Sequence, residues 1–399
     1  MAQPKYSKKQ NLKDHSLWKN NRLLFPSLDI ELTERCHYNC IHCSINQPLN
    51  DTIIRDKELS TDSLKRILRE AADFGCIHVR FTGGEPLIKE NFRELYKFSR
   101  ELGFGVLVFT NGSLINREMV DLFLKIPPLE KIEVSFYGMK KQSYEAVTRT
   151  PGSFEKARKG IDLLLKNKIP FVVKGAFLPP NKKELPLFDS WAKQIPWMED
   201  VPPLSLFLNL RHRHDSMNKN KSIKKLRTSP EESLAVLTRN EPRFSEDMKI
   251  YCSQLMHPQG DRLFTCGAGK SSATLDPYGY LYPCSLVKHP STAFDLKKGS
   301  LKQAFLEFFP ALREKKAKNP DYLDRCAQCF LRGLCEMCPG RSWLEHGTLD
   351  TPVDYFCEIA HAQARYLGYI DEHEKGWEVK DWRDRIEQNK PHPKNSDKK

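Results

Sequence analysis

No stretch of the 399 residues approaches the roughly 20 consecutive apolar residues that a membrane-spanning helix requires. Residues 1–25 lack the apolar core of a secretory signal, so the expected location is the cytoplasm. Nowhere are basic residues interleaved with aromatics in the manner of a nucleic-acid module, which argues against a nucleic-acid partner. Acidic side chains are the scarcer charge, 51 against 64 basic ones, and the net charge is +13. Such a surface suits an acidic peptide or an anionic cofactor without specifying either. At 39% hydrophobic residues the chain is not disordered, and its length leaves room for two or three domains.

Cysteine, by contrast, is plentiful at 12 residues. Small secreted scaffolds use that many for disulfides, but a chain of this length needs no stapling and cytoplasmic thiols stay reduced. Metal ligation is the better default.

From Ser27 to about Leu210 short apolar runs alternate with helical patterns, the signature of repeated βα units and a parallel sheet. Six strands are expected, at Ser27 to Leu32, His78 to Phe81, Val106 to Phe109, Ile132 to Ser135, Phe171 to Phe177 and Leu204 to Leu208. Between the first two, Ser60 is a natural N-cap, Leu64, Ile67, Leu68 and Ala71 share one helical face, and Gly75 is a stop signal. Phe92, Leu95, Phe98 and Leu102 line a second helix, Asn116 caps a third, and Phe154, Ala157, Ile161, Leu164 and Leu165 line a later one. Six units are too few for a closed eight-stranded barrel, so an α/β fold with a partial barrel or an open doubly wound sheet is expected. The basic stretch after residue 211 reads as a boundary or mobile loop, and the tail beyond Asp371 as a solvated helix followed by disorder.

Directly after the first strand stand Cys36, Cys40 and Cys43, spaced C-x3-C-x2-C. Three thiolates hold three corners of a [4Fe-4S] cluster and leave its fourth iron open. The alternatives are a zinc site completed by His37 or His42, or free buried thiols. Loops at the C-terminal ends of parallel strands are where barrel-type sheets place active sites. The second strand ends there in Gly83-Gly84-Glu85-Pro86, the third in Thr110-Asn111-Gly112 and the fourth in Ser135.

This combination resembles the radical S-adenosylmethionine (SAM) superfamily, over roughly residues 25 to 210. The resemblance implies a partial (β/α)6 TIM-like barrel in which Cys36, Cys40 and Cys43 ligate the catalytic cluster while SAM occupies the open iron. Gly83, Gly84, Glu85 and Pro86 would hold the methionyl ammonium, with Asn111 at the neighbouring strand end, Ser135 holding SAM's polar groups and Tyr38 near adenine. Arg149 is similar to an arginine that pairs with the SAM carboxylate; its spacing from Ser135 is a couple of residues off the commoner pattern, and a surface arginine is the alternative.

Eight of the cysteines lie between Cys252 and Cys357. Cys266 and Cys284 flank Asp276-Pro277-Tyr278-Gly279, which reads as a hairpin turn. Cys326-x2-Cys329-x5-Cys335-x2-Cys338 is followed by Cys357, and C-x2-C pairs are strong metal signals. One structural zinc is the alternative. The whole pattern resembles the SPASM domain appended to radical SAM enzymes that mature peptides and proteins, apart from a spacing of two where three is usual before Cys338. That likeness implies two auxiliary [4Fe-4S] clusters, one on Cys266, Cys284 and Cys338, with Cys252 as fourth ligand or an open iron in its place. The other would sit on Cys326, Cys329, Cys335 and Cys357. Cys76 is set aside as a packing thiol. The expected domains are an extension at 1–24, the radical SAM barrel at 25–240, the SPASM domain at 241–370 and a basic tail at 371–399.

The implied activity is reductive cleavage of SAM and oxidative modification of a ribosomally made peptide by crosslinking, epimerisation or dehydrogenation. It needs three [4Fe-4S] clusters, a peptide substrate and an electron donor such as flavodoxin or ferredoxin. The alternatives are formylglycine formation of the sulfatase-maturase kind, against which Ser285 stands where that family has an aspartate, a small-molecule dehydrogenase, and a non-catalytic iron–sulfur electron carrier. No catalytic acid or base is identified; Asp276, Tyr278, Glu336 and Arg341 lie near the cysteines in sequence.

Overall fold

A computed structural model describes residues 26–390. They form two compact units: the described part of Met1–Leu226 with Cys266–Leu312, and Arg227–Thr265 with the described part of Arg313–Lys399. The N-terminal extension and the last nine residues of the tail lie outside the described residues.

The six expected strands are present in the first unit as β1 (Ser27–Thr33), β2 (His78–Gly83), β3 (Gly105–Thr110), β4 (Ile132–Ser135), β5 (Phe171–Ala176) and β6 (Leu204–Ser205). They pair in sequential order and all in parallel. An order without reversal is that of a barrel arc; a doubly wound sheet reverses at a switch point. One face is apolar, with Leu28, Ile30, Val79, Phe81, Val106, Val108, Ile132, Val134, Phe171 and Val173 all fully buried. The other carries charge: Arg80 pairs with Asp29 at 2.9 Å, Lys174 pairs with Glu133, and both cations lie over the Phe109 ring. Period-two alternation in strands such as HVRF and IEVS produces this split, because successive side chains leave opposite faces.

Ser60 caps helix Thr61–Asp73 through the Ser63 N–H, and Leu64, Ile67, Leu68 and Ala71 are its buried face. Asn116 caps Arg117–Lys125 through the Met119 N–H. Cys76 is buried as a packing thiol beside the carbonyls of Pro26 and His78.

Three features depart from expectation. β6 stops after two residues, and the following chain runs on as irregular backbone with Leu206, Leu208 and Leu210 buried. Residues 272–295 add β7 (Ser272–Leu275), β8 (Tyr280–Tyr282) and β9 (Phe294–Asp295) to the free edge of β1, β7 in parallel and the others antiparallel. The expected hairpin is there, with the Asp276 carboxylate accepting from the Tyr278 and Tyr280 N–H groups, each at 2.9 Å. The compact units therefore divide the chain elsewhere than at residue 240. The basic stretch after residue 211, read as a boundary or mobile loop, does contain the boundary between the units, after Leu226, but it is helical rather than a loop over Met217–Lys225, capped by Ser216.

The second unit is built from helices Pro230–Leu237, Arg243–Leu255, Pro339–His346, Asp354–Tyr366 and Trp382–Gln388. Its core gathers Cys252, Phe330, Leu331, Ala364, Tyr369 and Ile386. Val379 is buried there too, so the tail's helix Trp382–Gln388, solvated on its other faces, is anchored to this core through Ile386.

Candidate active site

The C-terminal ends of β2, β3, β4 and β6, with the loop that follows β1, enclose a cavity of about 390 Å³, a size that suits a small molecule. Cys36, Cys40 and Cys43 line it together, with Tyr38 and Tyr137 packed among them.

Local hydrogen bonds fix this loop. The Asn39 and Ile41 N–H groups donate to the carbonyls of Thr148 and Val147 at 3.0 and 2.9 Å. These are end carbonyls of helix Lys141–Thr148, so the loop satisfies a helix terminus that would otherwise need water. The Tyr38 N–H points at Cys36 Sγ and the Asn46 N–H at Cys43 Sγ, at 3.3 and 3.4 Å. Burial pushes the Cys36 thiol up to about 12, helped by the Glu85 carboxylate, and the Cys40 thiol well above its ordinary value, helped by Cys43 and Cys36. Three converging sulfurs, those of Cys36 and Cys40 buried and that of Cys43 half-buried, which repel one another as thiolates and are offered backbone donors or neighbours of their own kind, fit the corners of an iron–sulfur cluster, whose iron charge removes the repulsion. Among the described residues no three of His, Cys, Asp and Glu are drawn together tightly enough for one bare ion.

Gly83 and Gly84 stand on the cavity wall, but their freedom is used for packing. A Cβ on Gly83, whose φ is +125°, would fall 2.1 Å from the Thr33 carbonyl oxygen, and one on Gly84 2.3 Å from that of Arg35. The two glycines thus let the lead-in to Cys36 lie against β2. Glu85 is not on the wall. Fully buried, its carboxylate accepts from Thr110 Oγ1 and the Asn111 N–H at 2.8 Å and from the Leu87 N–H at 3.2 Å, and burial raises it to about 7. It braces the end of β3 behind the cavity. Pro86 is buried at the start of the short turn Pro86–Ile88, also off the wall.

Asn111 and Ser135 line the cavity, as does Tyr38, whose hydroxyl donates to the Ser153 carbonyl at 3.2 Å. Arg149 does not: it ends helix Lys141–Thr148 in a left-handed conformation, φ 51°, exposed and outside the lining. Three buried polar atoms on the wall, Asn111 Nδ2, Asn209 Oδ1 and His42 Nδ1, have no hydrogen-bond partner among the described residues. A ligand rich in donors and acceptors, as an amino-acid nucleoside is, would satisfy them.

Sequence reasoning missed a cationic girdle beneath the cysteine loop. Buried Arg211 donates to the carbonyl and side-chain oxygens of Asn46 at 3.0 and 3.1 Å and pairs with Asp215 at 2.6 Å, and Lys219 reaches Asn46 Oδ1 at 2.6 Å. Burial lowers the Lys219 ammonium while the neighbouring Cys43 opposes that. The Arg211/Asp215 spacing of four, ordinary for a helix pair, was the signal inside a stretch that reads as linker. Of the four side chains singled out beside the cysteines, Asp276 holds the hairpin turn. Tyr278 donates to Glu34 at 3.0 Å beneath the Arg213 guanidinium, and Arg341 pairs with Glu336 at 2.9 Å.

In the second unit Cys326, Cys329, Cys335, Cys338 and Cys357 line one cavity. Burial pushes Cys326 and Cys329 up to about 12 and Cys335 well above its ordinary value, and Cys357 or Cys329 adds to each. The same argument from convergent, half-buried thiols fits a second cluster here. Gly376 sits so close that a Cβ would fall 2.7 Å from Cys329 Sγ. Cys252 is elsewhere, fully buried in the apolar core beside Tyr369, where it resembles Cys76 more than a ligand. Cys266 and Cys284 belong to the first unit, where the Gly269 N–H donates to the Pro283 carbonyl at 2.9 Å and draws the approaches to both thiols together.

Residues 30–186 match the family model described as the radical SAM superfamily. The AdoMet-dependent heme synthase of Methanosarcina barkeri (strain Fusaro / DSM 804) is 23% identical over 335 residues, 79% of this chain and 92% of its own. The probable GTP 3',8-cyclase of Methanothermobacter marburgensis is 34% identical over 145 residues, and the Fe-coproporphyrin III synthase of M. barkeri 30% over 159. The chain covers 45% and 39% of those two, under half of each. The solved structure of anSMEcpe with bound AdoMet and the Cp18Cys peptide shares the fold, with a TM-score of 0.59 at 16% identity over 85% of this chain and 96% of that one.

Proposed function

The chain carries a radical SAM domain over residues 30–186, and from that premise we propose that it is a SAM-cleaving peptide maturase with auxiliary clusters. Cys36, Cys40 and Cys43 would hold a cluster that, when bound, would supply the one-electron chemistry for reductive cleavage of SAM and hydrogen-atom removal from the substrate. The protein's own part is placement. The Gly83-Gly84 backbone, Asn111, Ser135 and Tyr38 form the wall that would hold SAM, Glu85 braces that wall, and Arg211 with Lys219 keeps the Asn46 end of the loop in register.

The observation that carries the reading is the meeting of the three thiols with unpartnered polar groups at the C-terminal end of the sheet. Two further features support the peptide and the auxiliary clusters: a net charge of +13, which suits an acidic precursor, and five cysteines lining one cavity in the second unit. Anaerobically reconstituted protein with SAM and dithionite is expected to release 5′-deoxyadenosine, and the triple variant Cys36→Ala/Cys40→Ala/Cys43→Ala none. A peptide encoded beside this chain is expected to change mass in the same reaction. If only a non-peptide compound is turned over, the peptide reading is wrong.

One observation favours a second reading. The likeness to the heme synthase extends over most of both chains, which supports a precursor of heme as substrate. Incubation with iron coproporphyrin III would then raise 5′-deoxyadenosine release above the substrate-free rate and lower the mass of the porphyrin.

A further inference from the structure

Arg325 stands immediately before Cys326 and lines the five-cysteine cavity. Its Nη2 donates to Asp354 Oδ1 at 2.7 Å and lies 3.9 Å from Cys357 Sγ, and its Nη1 reaches Asp321 at 3.3 Å. The guanidinium is stacked 5.0 Å from the Trp377 ring centre, which also lines the cavity. With three directions occupied the side chain cannot swing away, and its Nε is buried with no hydrogen-bond partner among the described residues. A spare donor in a cavity walled by thiols is unusual unless sulfur is to fill it.

Cys357 has a second donor of another kind. The Gly376 N–H can only donate, and it meets His361 Nε2 at 3.0 Å, so the ring proton sits on Nδ1 and points at the Cys357 carbonyl and Sγ, 2.8 and 3.5 Å away. Cys357 is therefore served by one neutral donor and one cation. Lys375 adds a more distant positive charge, while Asp321 and Asp354 oppose Arg325 from its other side.

We infer that Arg325 sets the reduction potential of the auxiliary cluster held by this cavity, raising it by placing a charged hydrogen-bond donor on the Cys357 thiolate. The inference rests on the reading that the cavity holds a [4Fe-4S] cluster. Reduction adds one negative charge to such a cluster, and a cation at a ligating sulfur stabilises the reduced form over the oxidised one. Arg325 is a positioning residue here: its fork, held by two carboxylates and an indole, aims the donor where a lysine's point charge could not be fixed.

The test is an EPR-monitored redox titration of the reconstituted full chain carrying Cys36→Ala, Cys40→Ala and Cys43→Ala, so that only auxiliary signals remain. Arg325→Gln removes the cation and leaves Asp321 and Asp354 uncompensated, two changes of one sign, and the potential is expected to fall. Asp354→Asn frees the guanidinium from its nearest counter-charge, and the potential is expected to rise. Arg325→Lys keeps the charge without the fork and is expected to fall less than Arg325→Gln. A purely structural role would move both Arg325→Gln and Asp354→Asn the same way or broaden the signal without moving it, and either result overturns the inference, as does an unmoved potential at full iron content. If Arg325→Gln fails to retain iron, Asp354→Asn and Arg325→Lys still decide the sign. Iron and sulfide analysis of the unsubstituted cavity separates the two claims. No iron there removes the cluster itself and the inference with it, whereas a loaded cavity with an unmoved potential removes the role of Arg325 alone.

Discussion

Gly84→Ala tests how the cysteine loop is held. The new Cβ would lie 2.3 Å from the Arg35 carbonyl oxygen, 2.5 Å from that of Glu34 and 2.7 Å from the Arg35 carbonyl carbon, all of them backbone. Moving from 2.3 Å to the ordinary contact distance of 3.4 Å requires a retreat of about 1 Å by a segment that leads straight into Cys36. That retreat stretches the hydrogen bonds from Gly84 N to Thr33 and from Glu85 N to Arg35, now 2.8 and 3.0 Å. Overpacking of this kind costs about 1–3 kcal/mol and each of the two backbone hydrogen bonds about 1 kcal/mol, so a loss of roughly 3–5 kcal/mol is expected. Gly152→Ala is the control: unlike Gly84 it has positive φ, +75°, but no atom lies within 4 Å of its added Cβ, leaving only the strain of about 1–2 kcal/mol for a left-handed residue. Urea unfolding of the metal-free protein measures both, and iron analysis after reconstitution measures the loop. Gly84→Ala is expected to lose iron from the N-terminal cluster while Gly152→Ala keeps it. A Gly84→Ala protein as stable as Gly152→Ala and fully loaded would refute the reasoning.

Burial raises the Asp276 carboxyl from its ordinary 3.8 to about 6. Since the folded chain then binds that proton more tightly than the unfolded one, its contribution is greatest below pH 3.8 and is lost as pH rises to about 6. Relative to Asp276→Asn, which keeps the turn's acceptor, the parent should lose about 3 kcal/mol across that window; parallel stability curves would contradict this. Cys335→Ala should lose iron from the second unit, whereas Cys252→Ala should keep it and lose about 1–2 kcal/mol of stability as a core truncation, read by iron content and urea unfolding. The Lys288–Glu31 pair, 2.5 Å apart and nearly fully buried, makes Lys288→Met costly by about 3–5 kcal/mol, because it strands a buried carboxylate, and Glu31→Gln added to it should restore part of that in the same unfolding assay.

By itself the sequence determined what depends on neighbours along the chain. Short apolar runs between helical patterns placed β1 to β5 to within two residues at either end, Ser60 and Asn116 act as caps through bonds three residues away, and the C-x3-C-x2-C loop curls its own thiols together because its spacing is short. Tertiary structure alone decided what depends on residues far apart. Glu85 looked like a ligand-binding carboxylate, and only the approach of Thr110 and Asn111 turned it into a brace behind the wall. Arg149 carried the expected residue type, but the left-handed end of its helix points it to solvent. Cys252 read as one more thiol in a cysteine-rich region until its helix turned it into an apolar core. The hairpin at residues 272–282 joined the edge of β1 because backbone pairing across a sheet is blind to sequence distance. Arg325 acquires its meaning only where Cys357 and Asp354, on helix Asp354–Tyr366, and Trp377, in a turn beyond it, surround it. Local rules fix a residue's conformation from its immediate neighbours, whereas its partners are fixed by how whole elements pack.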